Sequence, residues 1–169
     1  MSKSFHLRPF REEDVPSLAH YANNLKIARF MTNRFPHPYT EEDARAFIKL
    51  AMSHEPTKIF TIDIDGKASG GVGLFQQEDV HCKNAELGYW VAEPFWGKGI
   101  VSAAILEMID YGFNTFDIDR IYAVPFGPNT ASQRVLEKTG FKLEARFEKT
   151  IFKHGEQLDE LVYAIRKNV

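Results

Sequence analysis

The sequence predicts an α/β protein built on one central sheet. Two observations predict it. Apolar residues recur at helical spacing in some segments and alternate in others. The two kinds of segment are interleaved along the whole chain, the pattern of a layered α/β fold. At 169 residues the chain is long enough for one domain with its own core. The expected domain runs over residues 1–169, with no internal repeat and no linker.

The elements follow in order. Residues 5–10, FHLRPF, read as a short strand. Asp14 then opens a helical run, in which Val15, Leu18, Ala19 and Ala22 share one face and Pro16 fits the first turn. Residues 35–40, FPHPYT, form a proline loop. Thr40 is a good N-cap for a second helix, which lines up Ala44, Phe47, Ile48 and Ala51. The period then changes. Residues 58–65, KIFTIDID, alternate as a strand, and Asp65-Gly66 is a strong hairpin signal. A glycine-weakened strand returns over ASGGVGLFQ, and NAELGYWVA adds a third. A helix follows over roughly 99–115, then a strand at RIYAV. A short helix comes next, begun by Asn129 or Thr130 and stopped by Gly140. Two long strands joined at His154-Gly155 close the chain.

Bulk properties exclude several classes of function. The net charge of −2 argues against general nucleic-acid binding, which needs a basic face. It also offers no drive toward anionic membranes, and no apolar run approaches the ~20 residues of a span. The first ten residues lack the apolar core of a signal peptide. The single cysteine, Cys82, has no internal partner for a disulfide. These features predict a cytoplasmic protein. Cys82 lies beside His81 in a loop, where a base is rarely held against a nucleophile, so a structural or incidental role is expected. The histidines at 6, 20, 37, 54, 81 and 154 form no metal-binding spacing, and no metal site is expected.

Residues 93–104, EPFWGKGIVSAA, raise the functional question. A helix start leaves backbone N–H groups without intrahelical partners, and the helix dipole adds positive potential there. Gly97 and Gly99 remove side chains that would hold a ligand off those amides, and Lys98 adds a cation. The stretch therefore suits an anion such as a pyrophosphate. Without a ligand, the same glycines would serve as a tight strand-to-helix turn. The Walker pattern GxxxxGK[ST] is absent, and the dinucleotide pattern GxGxxG fails at Ser102. The acetyl-CoA pyrophosphate loop remains.

Here the chain resembles the GNAT superfamily of N-acetyltransferases, in its RimJ/RimL-like branch. LRPFREED resembles that family's opening strand and helix, AELGYWVAEPFWGKGIVSAA its fourth strand and pyrophosphate loop, and NTASQRVLEKTGF its late helix. GFKLEARFEKTIFKHGEQLDELVYAI, with Asp159 and Tyr163, resembles its closing hairpin. The resemblance implies a central mixed, mostly antiparallel sheet flanked by helices. It implies acetyl-CoA as donor, and an amine acceptor that is either a protein N-terminus, as in certain ribosomal proteins, or a small molecule. The loop motif Q/R-x-x-G-x-G/A falls on Trp96, Gly97, Lys98, Gly99, Ile100 and Val101. Trp96 stands for Gln/Arg, as is common in that branch, and Val101 stands for a small residue. Val91 is implied to pair its backbone with the pantetheine arm as an added strand would.

Acetyl transfer needs a neutral amine, a polarised carbonyl and a stabilised leaving thiolate. Glu86 on the third meander strand is the candidate base, sharing a face with Gly88 and Trp90; its bland alternative is a salt bridge to a nearby Arg or Lys. The tyrosine that protonates the thiolate in many relatives is replaced by Leu136. Ser132, one helical turn earlier on the same face, is the implied substitute. Asn129 is either a pantetheine contact or an ordinary N-cap. Arg120 reads as a strand-start salt bridge rather than a phosphate ligand, and Asp159 and Tyr163 as supports of the closing strands. A non-catalytic acyl-CoA-binding domain and a ligand-free interaction module are the rival readings.

Overall fold

The computed structural model describes residues 4–168. The strands form one seven-stranded mixed sheet in the order β1-β2-β3-β4-β5-β7-β6. The chain divides into two compact units.

The first unit comprises the chain up to residue 73 together with residues 89–104. β1 (Phe5–Pro9) pairs antiparallel with β2 (Ile59–Ile64), and β2 turns at Asp65-Gly66 into β3 (Lys67–Gln76), as predicted. α1 (Val15–Ala22) and α3 (Glu41–Met52) supply Leu18, Ala22, Ala44 and Ile48 to a core that also takes in Ile59 and Trp90. α3 starts on a capping box in which Thr40 and Asp43 satisfy each other's backbone amides. A single turn, α2 (Leu25–Ala28), was not expected; Asn24 caps it by accepting from the Lys26 amide at 2.9 Å. One turn is too short to show a period in the sequence.

β2 departs from simple inward–outward alternation because both of its faces are covered. Thr61 and Asp63 are as buried as Ile62 and Ile64. Each has a polar partner: the Thr61 hydroxyl donates to the Gly70 carbonyl at 3.0 Å, and Asp63 accepts from Arg8 Nε at 2.7 Å. The Arg8 guanidinium also forks onto both oxygens of buried Asp14, at 2.7 and 2.8 Å. Gly70 is required by close approach. A Cβ there would lie 2.4 Å from the Trp90 carbonyl oxygen, so only glycine lets β3 lie this close to Trp90 of the neighbouring strand.

The second unit comprises residues 74–88 and those from 105 onward. The start of β4 (Asn84–Val91) pairs parallel with β5 (Arg120–Ala123). β7 (Glu156–Arg166) lies antiparallel between β5 and β6 (Lys142–Lys153). The β6–β7 hairpin turns at His154-Gly155, as predicted. α4 (Ile100–Thr115) runs on into this unit, where Ile105 and Met108 are fully buried, as are Ile118, Ile121 and Leu136 of α5 (Thr130–Lys138).

Candidate active site

β4 keeps its predicted alternation from Ala85 to Gly88: Ala85 and Leu87 are buried, Glu86 and Gly88 half-buried. Trp90 and Val91 are both buried, because the α1–α3 cluster also covers the Trp90 ring. The register with β5 ends at the pair Glu86–Tyr122.

After β4 the chain makes one tight turn over Glu93–Phe95. Phe95 is buried, and Glu93 accepts from Asn24 at 2.7 Å and from the Lys26 ammonium. Trp96 then points its indole N–H back at the Val91 carbonyl, 2.8 Å away. Gly97 and Gly99 adopt φ of 72° and 75°, a region that favours glycine, and a Cβ at either would meet nothing within 4 Å. The first bond into α4 runs from the Ala103 amide to the Gly99 carbonyl at 3.1 Å. Among the described residues, the amides of residues 97–102 donate to no protein acceptor. They open a sixteen-residue helix. The Lys98 ammonium lies 5.6 Å from the centre of the Phe95 ring, so its charge stays with the loop. Val101 is half-buried, and its amide, in the first turn of α4, has no acceptor among the described residues. A row of amides at a helix start, with no side chain at Gly97 and Gly99, fits a pyrophosphate.

Glu86 shares no hydrogen bond or ion pair with any described residue, so the salt-bridge alternative is not what the structure holds. Burial, and then the charge of Glu160, push its carboxyl above the usual range. The register explains the second cause. Glu86 pairs with Tyr122, Tyr122 with Ala164, and Glu160 lies four residues along β7 on the same face. Burial and the Glu86 charge in turn raise the Tyr122 hydroxyl.

At the start of α5 the Asn129 side chain accepts from the Ser132 amide at 3.2 Å, the cap that its bland reading required. That bond uses the Asn129 oxygen and leaves its NH₂ group to other partners.

The family model of the acetyltransferase (GNAT) domain matches residues 4–142. The chain belongs to the GNAT family. YdaF of Bacillus subtilis (strain 168) is 33% identical over 103 residues, 61% of this chain and 56% of YdaF, so the match spans little more than half of that relative. Spermidine N(1)-acetyltransferase of Escherichia coli (strain K12) is 26% identical over 159 residues, 90% of this chain and 81% of that protein. Among solved structures, the ribosomal α-N-protein acetyltransferase RimL in complex with coenzyme A matches with a TM-score of 0.85 at 23% identity. That match covers 98% of this chain and 95% of RimL, and it shows the shared fold. As a GNAT member the chain is an N-acetyltransferase whose acetyl donor is acetyl-CoA.

The structure brings predicted residues together in two pairs, Val91 with Trp96 in the first unit and Asn129 with Ser132 in the second. Glu86 shares no hydrogen bond with either pair. Leu136, at the usual tyrosine position, is fully buried and presents no hydroxyl. Arg120 forms the expected salt bridge, to Glu144 at 2.5 Å, and reaches Asn84 at 2.9 Å. Asp159 holds Arg146 and the Lys149 amide, and the Tyr163 hydroxyl donates to Glu137 at 3.0 Å, both within the closing strands and α5. Cys82 is exposed, and the described residues contain no cluster of metal-ligating side chains. Sequence reasoning missed Tyr122 and Glu160. Tyr122 stands at an alternate position of RIYAV, but only the β4–β5–β7 register shows that it and Glu160 share the face of Glu86.

Proposed function

We propose that this GNAT enzyme works as one N-acetyltransferase domain over residues 1–169 and acetylates the α-amine of a protein N-terminus, with Glu86 as general base and Ser132 as acid toward the leaving sulfur. The observation that carries the cofactor half is the row of amides over residues 97–102 at the start of α4. Acetyl-CoA, when bound, supplies the acetyl thioester. The amides of Gly97, Lys98, Gly99, Ile100 and Val101 hold the pyrophosphate, and Val91 pairs with the pantetheine arm along the strand edge. The half-buried Glu86 takes the proton that an acceptor ammonium must lose before it can attack. Its raised pKa brings it nearer to neutrality, where a base works best. The motifs of the RimJ/RimL-like branch and the provisional name of YdaF as a ribosomal N-acetyltransferase support the N-terminal acceptor. The same reading places the enzyme in the cytoplasm, where acetyl-CoA and new protein N-termini meet.

One observation favours a second acceptor, a small cationic amine. The charge of Glu160 bears on Glu86 and raises its cost of ionisation, and two carboxylates on one face of the sheet attract an ammonium. The similarity to spermidine N(1)-acetyltransferase supports that reading.

Two measurements test both. In a thermal-shift assay at 100-fold excess over Kd, acetyl-CoA should stabilise the chain by about 2.7 kcal/mol; no shift at millimolar acetyl-CoA would remove the cofactor reading. Release of free thiol is then followed with a panel of N-terminal peptides and polyamines. Turnover confined to peptides supports the N-terminal acceptor, and turnover confined to polyamines replaces it with the second. Binding without turnover of any amine would leave a non-catalytic acyl-CoA-binding domain.

A further inference from the structure

We infer that Trp96 is a positioning residue that serves the pantetheine arm of the cofactor through Val91, and is not a ligand of the pyrophosphate. The inference rests on the acetyl-CoA reading of the loop and deepens it. In the motif that the loop resembles, this position carries Gln or Arg, side chains that can donate to a phosphate. Tryptophan has one donor, the indole N–H. Here that donor is committed: Nε1 lies 2.8 Å from the Val91 carbonyl oxygen.

The direction of that carbonyl follows from its neighbour. The Ala92 amide donates to the Ser69 carbonyl on β3 at 2.8 Å. Polar groups of successive residues in a strand point to opposite edges. The Val91 carbonyl therefore points to the edge away from β3, the edge at which an added strand would pair. A carbonyl oxygen has two lone pairs. The indole takes one, sets the direction of the peptide plane, and leaves the other for an amide of the pantetheine arm. The site is thus set before the ligand arrives, which lowers the ordering cost of binding.

The ring itself is not held by burial. Trp96 is 44% exposed, whereas Phe95 beside it is 7% exposed. Phe95 and the Glu93 contacts to Asn24 and Lys26 already fix the turn. The indole bond therefore acts on Val91 and is not needed to hold the loop in place.

Trp96→Phe keeps the ring and deletes the donor. The dissociation constants of CoA and of 3′-phospho-ADP, its nucleotide half without the arm, are measured by calorimetry for the wild type and the variant. The CoA constant should rise about 3- to 10-fold, the worth of one hydrogen bond. The 3′-phospho-ADP constant should stay within about twofold, and the free variant should melt where the wild type does. Equal weakening of both ligands would assign Trp96 to the pyrophosphate and overturn the inference. No change in either would overturn it as well, and so would weakened CoA binding with a lowered melting temperature, which marks a structural role. A wild type that binds neither ligand would remove the acetyl-CoA reading itself.

Discussion

Glu86→Gln should lower kcat about 10²–10⁴-fold, the usual contribution of a general base, while CoA binding stays as in the wild type. Glutamine has nearly the same shape and hydrogen-bonds to water, but it cannot take the proton. The acid limb of the wild-type pH–rate profile, where Glu86 becomes protonated, should vanish in the variant. Stability should move the other way. The Glu86 carboxyl is raised in the fold, first by burial and then by Glu160. A raised acid contributes stability that is fully present below its unfolded pKa of about 4.3 and is lost as pH rises through the folded value. At pH 7–8 the ionised carboxylate thus costs stability that glutamine does not. The variant should melt above the wild type at pH 8 and show no advantage at pH 4. Unchanged turnover between pH 6 and 9 would take Glu86 out of the mechanism.

Arg8→Leu should cost about 3–5 kcal/mol at pH 7, the range for removing one partner of a buried ion pair. Both partners of Arg8 are nearly inaccessible, with side-chain exposures of 3% for Asp14 and 2% for Asp63. Leucine keeps much of the volume and leaves two buried carboxylates without the guanidinium. Such a loss is a large share of the 5–15 kcal/mol typical of a domain. The pH dependence separates this cause from simple packing. In the wild type, burial alone would raise Asp14, but the Arg8 fork and the Arg11 amide outweigh it and hold the carboxyl below its usual range. A lowered acid contributes stability that is present above the unfolded pKa of about 3.9 and lost as pH falls through the folded value. The wild type therefore weakens on acidification. In the variant Asp14 has lost the Arg8 fork, and protonation relieves its buried carboxyl, so the deficit should shrink between pH 7 and pH 4.5. Urea midpoints at the two pH values check this; a deficit that stays constant would assign the effect to packing.

Local features of the fold were legible wherever a short stretch carries its own instruction. Thr40 three residues before Asp43, the pair Asp65-Gly66 and the turn His154-Gly155 each specify a backbone conformation without help from elsewhere. The loop from Trp96 to Val101 was legible for the same reason, since glycine spacing and helix start are adjacent. What stayed hidden depends on register or on distance along the chain. Arg8 meets Asp63 across 55 positions, and nothing near either residue marks the pairing. Glu160 reaches Glu86 only because β5 lies between β4 and β7. Asn129 shows a further limit: one side chain serves equally as an N-cap and as a ligand, and the sequence pattern is the same for both.

The two tryptophans give the molecule an optical reporter of its own. Trp90 sits in the α1–α3 core at 9% exposure, and Trp96 stands at the cofactor loop at 44%. Solvent relaxation shifts emission from an exposed indole to longer wavelength, so Trp96 should emit to the red of Trp90. A soluble quencher reaches the exposed ring and spares the buried one. The red edge of the fluorescence therefore follows events at the loop, and the blue edge follows unfolding of the core, in one cuvette and without a label.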